Sequence, residues 1–250
     1  MTAVNVALGT FIVILVGMCL GIFLRTNLHE RYLSDKTAET VKLSAGVIAT
    51  LAALTLGLLI ASAKTSYDTR ISQIRKMAAG LILSDRLLAL YGPEAQDARA
   101  KLRATVGPVT DQIWTESLPQ AQPRRFEAAS ESEDYVNALY TLSPKNDLQR
   151  RLKERVVQTT VDIGNARLEL FSQLNNLLPP PLLIVLAFWF AVLFAAYSMY
   201  AEINVVSVLA LTICAASVAG AMFLLFQMNN PFSGLMGIPR VDFVALLPPL

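Results

Sequence analysis

Residues 43–63, LSAGVIATLAALTLGLLIASA, form the stretch on which the organisation of the chain depends. This run carries no charge, and as a helix it is long enough to cross the roughly 30 Å hydrocarbon core of a bilayer. It therefore predicts a transmembrane helix. Apolar residues continue at helical spacing beyond it, with no proline before Pro93. We expect the span to continue as one long helix that ends near Tyr91.

The composition supports a membrane protein. Hydrophobic residues make up 54% of the 250 residues and charged residues only 16%, whereas about a quarter of a typical soluble domain is charged. Most charges lie between Lys64 and Arg167, and four runs carry none: 4–24, 43–63, 182–200 and 205–227. The pattern predicts an all-α membrane protein with four transmembrane helices. It also predicts a helical soluble domain inserted between spans 2 and 3, with span 2 continuing as a long helix into that domain.

The predicted domain boundaries follow from this pattern. Residues 1–63 hold the first two spans, 64–178 the helical soluble domain, 179–228 the third and fourth spans, and 229–250 a C-terminal tail. Gly92 is expected at the C-terminal end of the long helix. The third span is rich in Phe, which suits a helix facing lipid. Cys19 and Cys214 lie in apolar runs, so we interpret them as small packed residues.

The second span has small residues on one face. Gly46, Thr50, Ala53, Gly57 and Ala61 recur every three or four residues. Such a face packs closely against another helix, or it lines a water-filled path around a symmetry axis, as the neighbouring Ser44 and Thr55 also could. The candidates for pore lining or span packing are Ser44, Gly46, Thr50, Ala53, Thr55 and Gly57.

Charged side chains after the second span form a further set of candidates. Adjacent residues on a helix, or residues two apart, point in different directions, so their partners are expected on other helices or other subunits. We interpret them as inter-helical ion pairs that fix the soluble domain, with a vestibule that concentrates ions as the alternative. The candidates are Asp68, Arg70, Asp85, Arg86 and Arg99.

The sequence gives little support to enzymatic function. It has one His and two Cys, and it lacks HExxH, GxSxG, P-loop and dinucleotide-binding motifs. We expect no catalytic residues, no cofactor and no metal site. Acids and bases nearly balance, so nucleic acid is not an expected partner.

Several motifs resemble those of the bacterial bestrophin-like membrane family, and the similar layout covers nearly the whole chain. They are Ser66-Tyr67-Asp68-x-Arg70, Ser84-Asp85-Arg86-Leu87-Leu88, Tyr91-Gly92-Pro93-Glu94, Arg99-x-x-Leu102-Arg103, Trp114 and Pro231-Phe232-Ser233-Gly234. Bestrophins are oligomeric ion channels with four spans and a pore lined by the second span. Their aromatic pore neck and acidic calcium-binding cluster are not found at matching positions, so the resemblance implies neither anion selectivity nor calcium gating.

The resemblance implies a symmetric homo-oligomer, a tetramer or a pentamer, that conducts small monovalent inorganic ions passively and contacts membrane lipid. Whether the ion is an anion, K⁺ or Na⁺ is left open. The alternative is a membrane-anchored scaffold or signalling protein whose helical domain docks a partner. Basic residues near the membrane are slightly more numerous on the domain side. This bias predicts a cytoplasmic domain in a bacterial inner-membrane protein.

Overall fold

The computed structural model describes residues 3–28, 34–115, 124–174, 180–202 and 204–229. Its regular structure is helical throughout these ranges, which confirms the all-α prediction. A short 3-10 turn, Pro93–Ala95, lies between the second and third α-helices. The α-helices are α1 Ala3–Asn27, α2 Asp35–Tyr91, α3 Gln96–Thr115, α4 Arg124–Thr141, α5 Asp147–Leu174, α6 Pro180–Tyr200 and α7 Val205–Asn229. The predicted tail lies outside the described residues from position 230 onward.

Four helices of the described chain, α1, α2, α6 and α7, are long and apolar enough to cross a membrane. They contain the four apolar runs of the sequence, so the prediction of four candidate spans is confirmed. Helix α2 is the longest element, with 57 residues. It begins at Asp35, before the apolar run, and continues past that run without a break to Tyr91.

The chain separates into two compact units. The first, which we call the apolar unit, contains the described parts of residues 3–67 and 180–229. All four apolar helices contribute to its core. Its buried members include Ile14 and Met18 of α1, Ala45, Ala52 and Leu59 of α2, Leu186, Phe190, Leu193 and Phe194 of α6, and Ala215, Met222 and Leu225 of α7. The seven-residue spacing in α2 places these three side chains on one face.

Helices α1 and α6 approach each other at two glycines of α1. A Cβ atom at Gly17 would lie only 3.0 Å from the Cα of Ala191, and one at Gly21 would meet the backbone of Ala195. Ser198 of α6 donates a hydrogen bond to the carbonyl oxygen of Met18, at 3.0 Å. In a bilayer, where water supplies no force between helices, such close backbone contact favours helix association.

The second unit, which we call the polar unit, contains residues 68–174 in their described parts. Its core joins the C-terminal half of α2 to α3, α4 and α5 through fully buried apolar side chains: Met77, Leu88, Leu102, Leu139 and Leu170. Gly92 ends α2 with a φ of 119°, as the sequence predicts, because this backbone conformation strains residues with a side chain. Gly80 allows α5 to approach, since a Cβ there would lie 2.6 Å from Ile163 Cγ1.

One expectation about the apolar helices is wrong, and another holds for only one side of its helix. Cys19 and Cys214 are exposed in the single chain, where we expected packed residues. Helix α6 does not simply face lipid: Phe188 is exposed, but Phe190 and Phe194 are buried in the apolar unit. Hydrophobicity alone does not distinguish the two sides of such a helix, because lipid and protein interior are equally apolar.

Candidate functional site

The small-residue face of α2 lies on the outside of the apolar unit. Thr50, Ala53 and Gly57 are exposed and Gly46 is half-buried. A Cβ atom added at either glycine would meet no atom of the described chain within 4 Å. The side of α2 that packs in the core lies roughly a third of a turn away. The small-residue face is therefore available to lipid, to another subunit or to a pore.

The six candidate residues of span 2 do not share one side of the helix. At about 100° per residue, Ser44 and Thr55 lie nearly opposite Gly46 and Gly57. Thr50, by contrast, shares the glycine face. A path lined by one side of α2 therefore uses the glycines with Thr50 and Ala53, or it uses Ser44 with Thr55.

The hydroxyl groups of α2 expose oxygen rather than hydrogen. Thr50 Oγ1 donates to the carbonyl oxygen of Val47 at 2.8 Å, and Ser44 Oγ donates to that of Thr40 at 2.9 Å. Because each hydroxyl hydrogen is used within the helix, the remaining lone pairs point outward as acceptors. Such a surface can substitute for part of the hydration shell of a small cation.

A stripe of large apolar side chains lies beside the small-residue face. These residues are strongly exposed in the single chain: Leu43, Val47, Leu54 and Leu58, at 61–72%. Large apolar patches of this kind normally contact lipid or another protein. The apolar part of α2 thus has three different sides. One packs in the core, one carries the large exposed side chains, and one is the small-residue face.

The polar unit contains a charged cluster centred on Asp85 of α2, whose side chain is fully buried. Arg99 of α3 donates two hydrogen bonds to the two carboxylate oxygens, each 2.8 Å long. Arg103, one turn further along α3, also donates to this carboxylate at 3.2–3.3 Å. The four-residue spacing places both arginines on the same side of α3. One buried carboxylate therefore binds two guanidinium groups.

The arginines decide the charge state of this cluster. Burial by itself raises the pKa of Asp85, but the hydrogen bonds and positive charges of Arg99 and Arg103 outweigh burial and lower the pKa below its ordinary value. The same contact raises the pKa of Arg99. The cluster is therefore ionised at neutral pH.

Tyr135 of α4 lies next to this cluster and is 4% exposed. Its hydroxyl is 3.3 Å from Thr160 Oγ1 of α5, and burial raises its pKa. Ser84, also buried, lies beside the same hydroxyl, although its Oγ has no hydrogen bond of normal geometry within the described residues. These contacts connect α2, α4 and α5 through polar side chains.

The structure brings together two of the five charged candidates, Asp85 and Arg99. Arg70 is 2% exposed in the α2 helix, whereas Asp68 and Arg86 are exposed on it. Arg103 also contacts Asp85 but was not among our candidates, although its position four residues after Arg99 was a usable signal. In the described residues, no group of three or more His, Cys, Asp or Glu side chains is placed to hold a metal ion.

An open groove of about 500 Å³ runs between α2 and α5 in the polar unit. Its lining contains positive side chains, Lys76 and Arg155, and negative ones, Asp162 and Glu169. Gln73 donates a 2.6 Å hydrogen bond to Glu169. The groove is therefore a surface of mixed charge.

Together, the four apolar helices and the polar helical unit define an all-helical membrane protein. The sequence model of the Bestrophin-like domain matches residues 12–243, and the chain belongs to this family. This result confirms the resemblance seen in the sequence motifs. Comparison with curated proteins and with solved structures finds no match.

Proposed function

We propose that this protein is a homo-oligomeric ion channel in which α2 surrounds the symmetry axis. It conducts small monovalent ions passively across the bacterial inner membrane, and it uses neither a cofactor nor a catalytic site. Membership of a family associated with channels supports this function. A tetramer and a pentamer are both compatible with it.

The exposed small-residue face of α2 carries the proposal. Close packing inside one subunit would fill the space at Gly46 and Gly57, but that space is open in the single chain. A lipid-facing side would gain from large apolar residues, which α2 instead carries on the adjacent stripe. Small residues allow α2 helices of several subunits to approach one another around a narrow path.

The chemistry of this face suits a conduction path that has no fixed charge to select ions. The apolar run of α2 contains no Asp, Glu, Lys or Arg, so no side chain in it can act as a proton relay or a charged filter. Thr50 offers hydroxyl oxygen at the same face. Hydroxyl and backbone dipoles are weak sites, which bind an ion briefly and then release it.

We place the polar unit in the cytoplasm. Four spans put the chain ends and the polar unit on one side of the membrane, and the slight excess of basic residues near the membrane lies on that side. Positive residues favour the cytoplasmic side. In this orientation the ionised side chains of the polar unit lie outside the bilayer.

The test is single-channel recording of the purified protein in planar bilayers with asymmetric KCl, followed by replacement of K⁺ with Na⁺ or of Cl⁻ with a large anion. A reversal potential that follows one ion identifies the permeant species. Gly57→Leu should reduce the conductance, because the larger side chain narrows the path. Gly9→Leu is the matched control, since Gly9 of α1 also has no atom of the described chain within 4 Å.

Two results would contradict the proposal. The first is silence of a well-folded oligomer over a range of voltage, pH and calcium. The second is equal conductance of the Gly57→Leu variant and the wild type. Silence would favour the alternative of a scaffold, and the mixed-charge groove between α2 and α5 would then be the surface to examine for a bound protein.

A further inference from the structure

A second feature of the polar unit, separate from ion conduction, is a cavity of about 210 Å³ lined by four helices. Its inner wall is apolar and buried. The side chains that form it are Met77 and Leu81 of α2, and Leu102, Val106 and Val109 of α3. A cavity of about 150 Å³ with a similar wall stays dry and binds benzene in another protein, so this one is large enough for a ligand.

Two threonine hydroxyl groups of the cavity lining use their hydrogens within the fold. Thr105 donates to the carbonyl oxygen of Lys101 at 2.9 Å, and Thr160 donates to that of Val156 at 2.9 Å. Because the Thr160 hydrogen is used in this way, the Tyr135 hydroxyl is the donor in their 3.3 Å contact. An ordered water needs two to four polar partners, and the side chains of the inner wall supply none, so this part of the cavity favours an apolar occupant over water.

In the described part of the chain, the cavity lining is partly exposed only at residues of α4 and α5, such as Val136 and Gly164, so its opening lies between these two helices. Gly164 is exposed at this opening, and a Cβ atom there would have no neighbour within 4 Å. Arg167 is half-buried and lines the same cavity one helical turn further along α5. Arg167 has interactions of its own in the fold, but a guanidinium has five N–H donors and can bind a carboxylate as well.

We propose that this cavity is a binding site for a small carboxylate with an apolar body. The apolar body occupies the space between α2 and α3, and the carboxylate binds Arg167 at the opening. Taking about 30 Å³ for a group the size of water, the cavity holds roughly seven such groups. A short acyl chain or one aromatic ring has this size.

The test is a fluorine NMR titration of the full-length protein in lipid nanodiscs with 4-fluorobenzoate, with empty nanodiscs as the blank. We expect saturable binding below about 1 mM and competition by hexanoate. Absence of saturable binding by the wild-type protein would overturn the proposal.

Two pairs of variants locate the site. Gly164→Leu should abolish saturable binding because it fills the opening, whereas Gly107→Leu, made at a helical glycine of α3 with equally open surroundings, should leave binding unchanged. Arg167→Gln should weaken 4-fluorobenzoate binding by roughly ten- to a hundredfold. Arg151→Gln, an exposed arginine of the same helix, is the control.

A neutral probe separates charge recognition from folding. The Arg167→Gln variant should bind 4-fluorobenzyl alcohol as the wild type does, because the apolar wall is unchanged. Equal binding of 4-fluorobenzoate by the wild-type and Gly164→Leu proteins would place the ligand elsewhere and overturn the assignment. Neither result depends on whether the protein conducts ions.

Discussion

Arg99 of α3 binds both carboxylate oxygens of the fully buried Asp85 of α2, through two parallel hydrogen bonds of 2.8 Å. The two helices are connected by the turn at Gly92. Asp85 precedes this turn and Arg99 follows it, so their ion pair fixes the position of α3 against α2. A bidentate arginine restricts orientation as well as distance. The contact therefore specifies how the polar unit folds.

Replacing Asp85 by Asn should destabilise the polar unit strongly. The amide keeps the size of the carboxylate but removes the negative charge that two largely buried arginines share, a change that typically costs about 3–5 kcal/mol. Thermal unfolding of the purified protein, followed by circular dichroism, measures the effect. Asp97→Asn is the control, since Asp97 is exposed and pairs with Lys101 on the surface of the same helix. Equal melting temperatures for the two variants would contradict a structural role for Asp85.

The two arginines should differ in importance. Arg99 makes two short hydrogen bonds to Asp85, whereas those of Arg103 are 3.2–3.3 Å long. Lysine has no planar fork, so Arg99→Lys should lose about 1–3 kcal/mol of stability and Arg103→Lys less. Thermal unfolding of each single variant and of the double variant shows which arginine contributes more to stability. The reverse order would mean that the longer contacts dominate.

Stability should fall in acid because of the same carboxylate. The pKa of Asp85 in the folded protein is lower than its ordinary value of about 3.9, since the arginines outweigh the effect of burial. Because its pKa is lower in the folded protein, the ionised Asp85 stabilises the fold at a pH above its pKa in the unfolded chain. This contribution is lost as the pH falls from about 4 through its pKa in the folded protein. Unfolding measured between pH 3 and 7 should show this loss, and the Asp85→Asn variant should show a flatter profile. A wild-type curve parallel to that of the variant would contradict the assignment.

Elements that depend on short stretches of sequence could be predicted. An uncharged run such as 43–63 has few alternatives to a span, because unpaired backbone groups cannot be left in lipid. The end of α2 was equally local, since Gly92 followed by Pro93 stops a helix. The family resemblance used the same kind of signal, motifs at fixed spacing along the chain.

Contacts between distant helices were harder to predict. The sequence indicated that Asp85 needs a partner on another element, but only the fold shows that Arg99 and Arg103 both supply it. In the spans, Gly17 and Gly21 have the small-residue spacing that indicates close packing, yet we looked for that packing in span 2. Apolar helices look alike to lipid and to protein, so spacing gives candidate faces without saying which partner each one meets.

The close contact between α1 and α6 gives a further prediction. Gly17→Ala should destabilise the apolar unit by about 1–3 kcal/mol, because the added methyl group would lie 3.0 Å from the Cα atom of Ala191, clash with its carbonyl oxygen and force the helices apart. Gly9→Ala, in the same helix with open surroundings, should be neutral. Thermal unfolding in a fixed detergent and the yield of folded protein compare the two variants. A Gly17→Ala variant as stable as the wild type would contradict this prediction, because it would mean that α6 can move away from α1 without loss of stability.

The arrangement of α2 in the oligomer can be tested by thiol labelling. In a background with Cys19→Ser and Cys214→Ser, a cysteine at Gly57 lies on the small-residue face, and one at Leu58 lies on the stripe of large apolar side chains. The two positions are at the same depth in the span. A charged, membrane-impermeant methanethiosulfonate reagent needs a water-exposed thiolate, so the Gly57→Cys variant should react much faster than the Leu58→Cys variant. Labelling of the Gly57→Cys variant should also reduce the ion current through the channel. Faster labelling at position 58 would place the large apolar stripe, rather than the small-residue face, along the water-filled path.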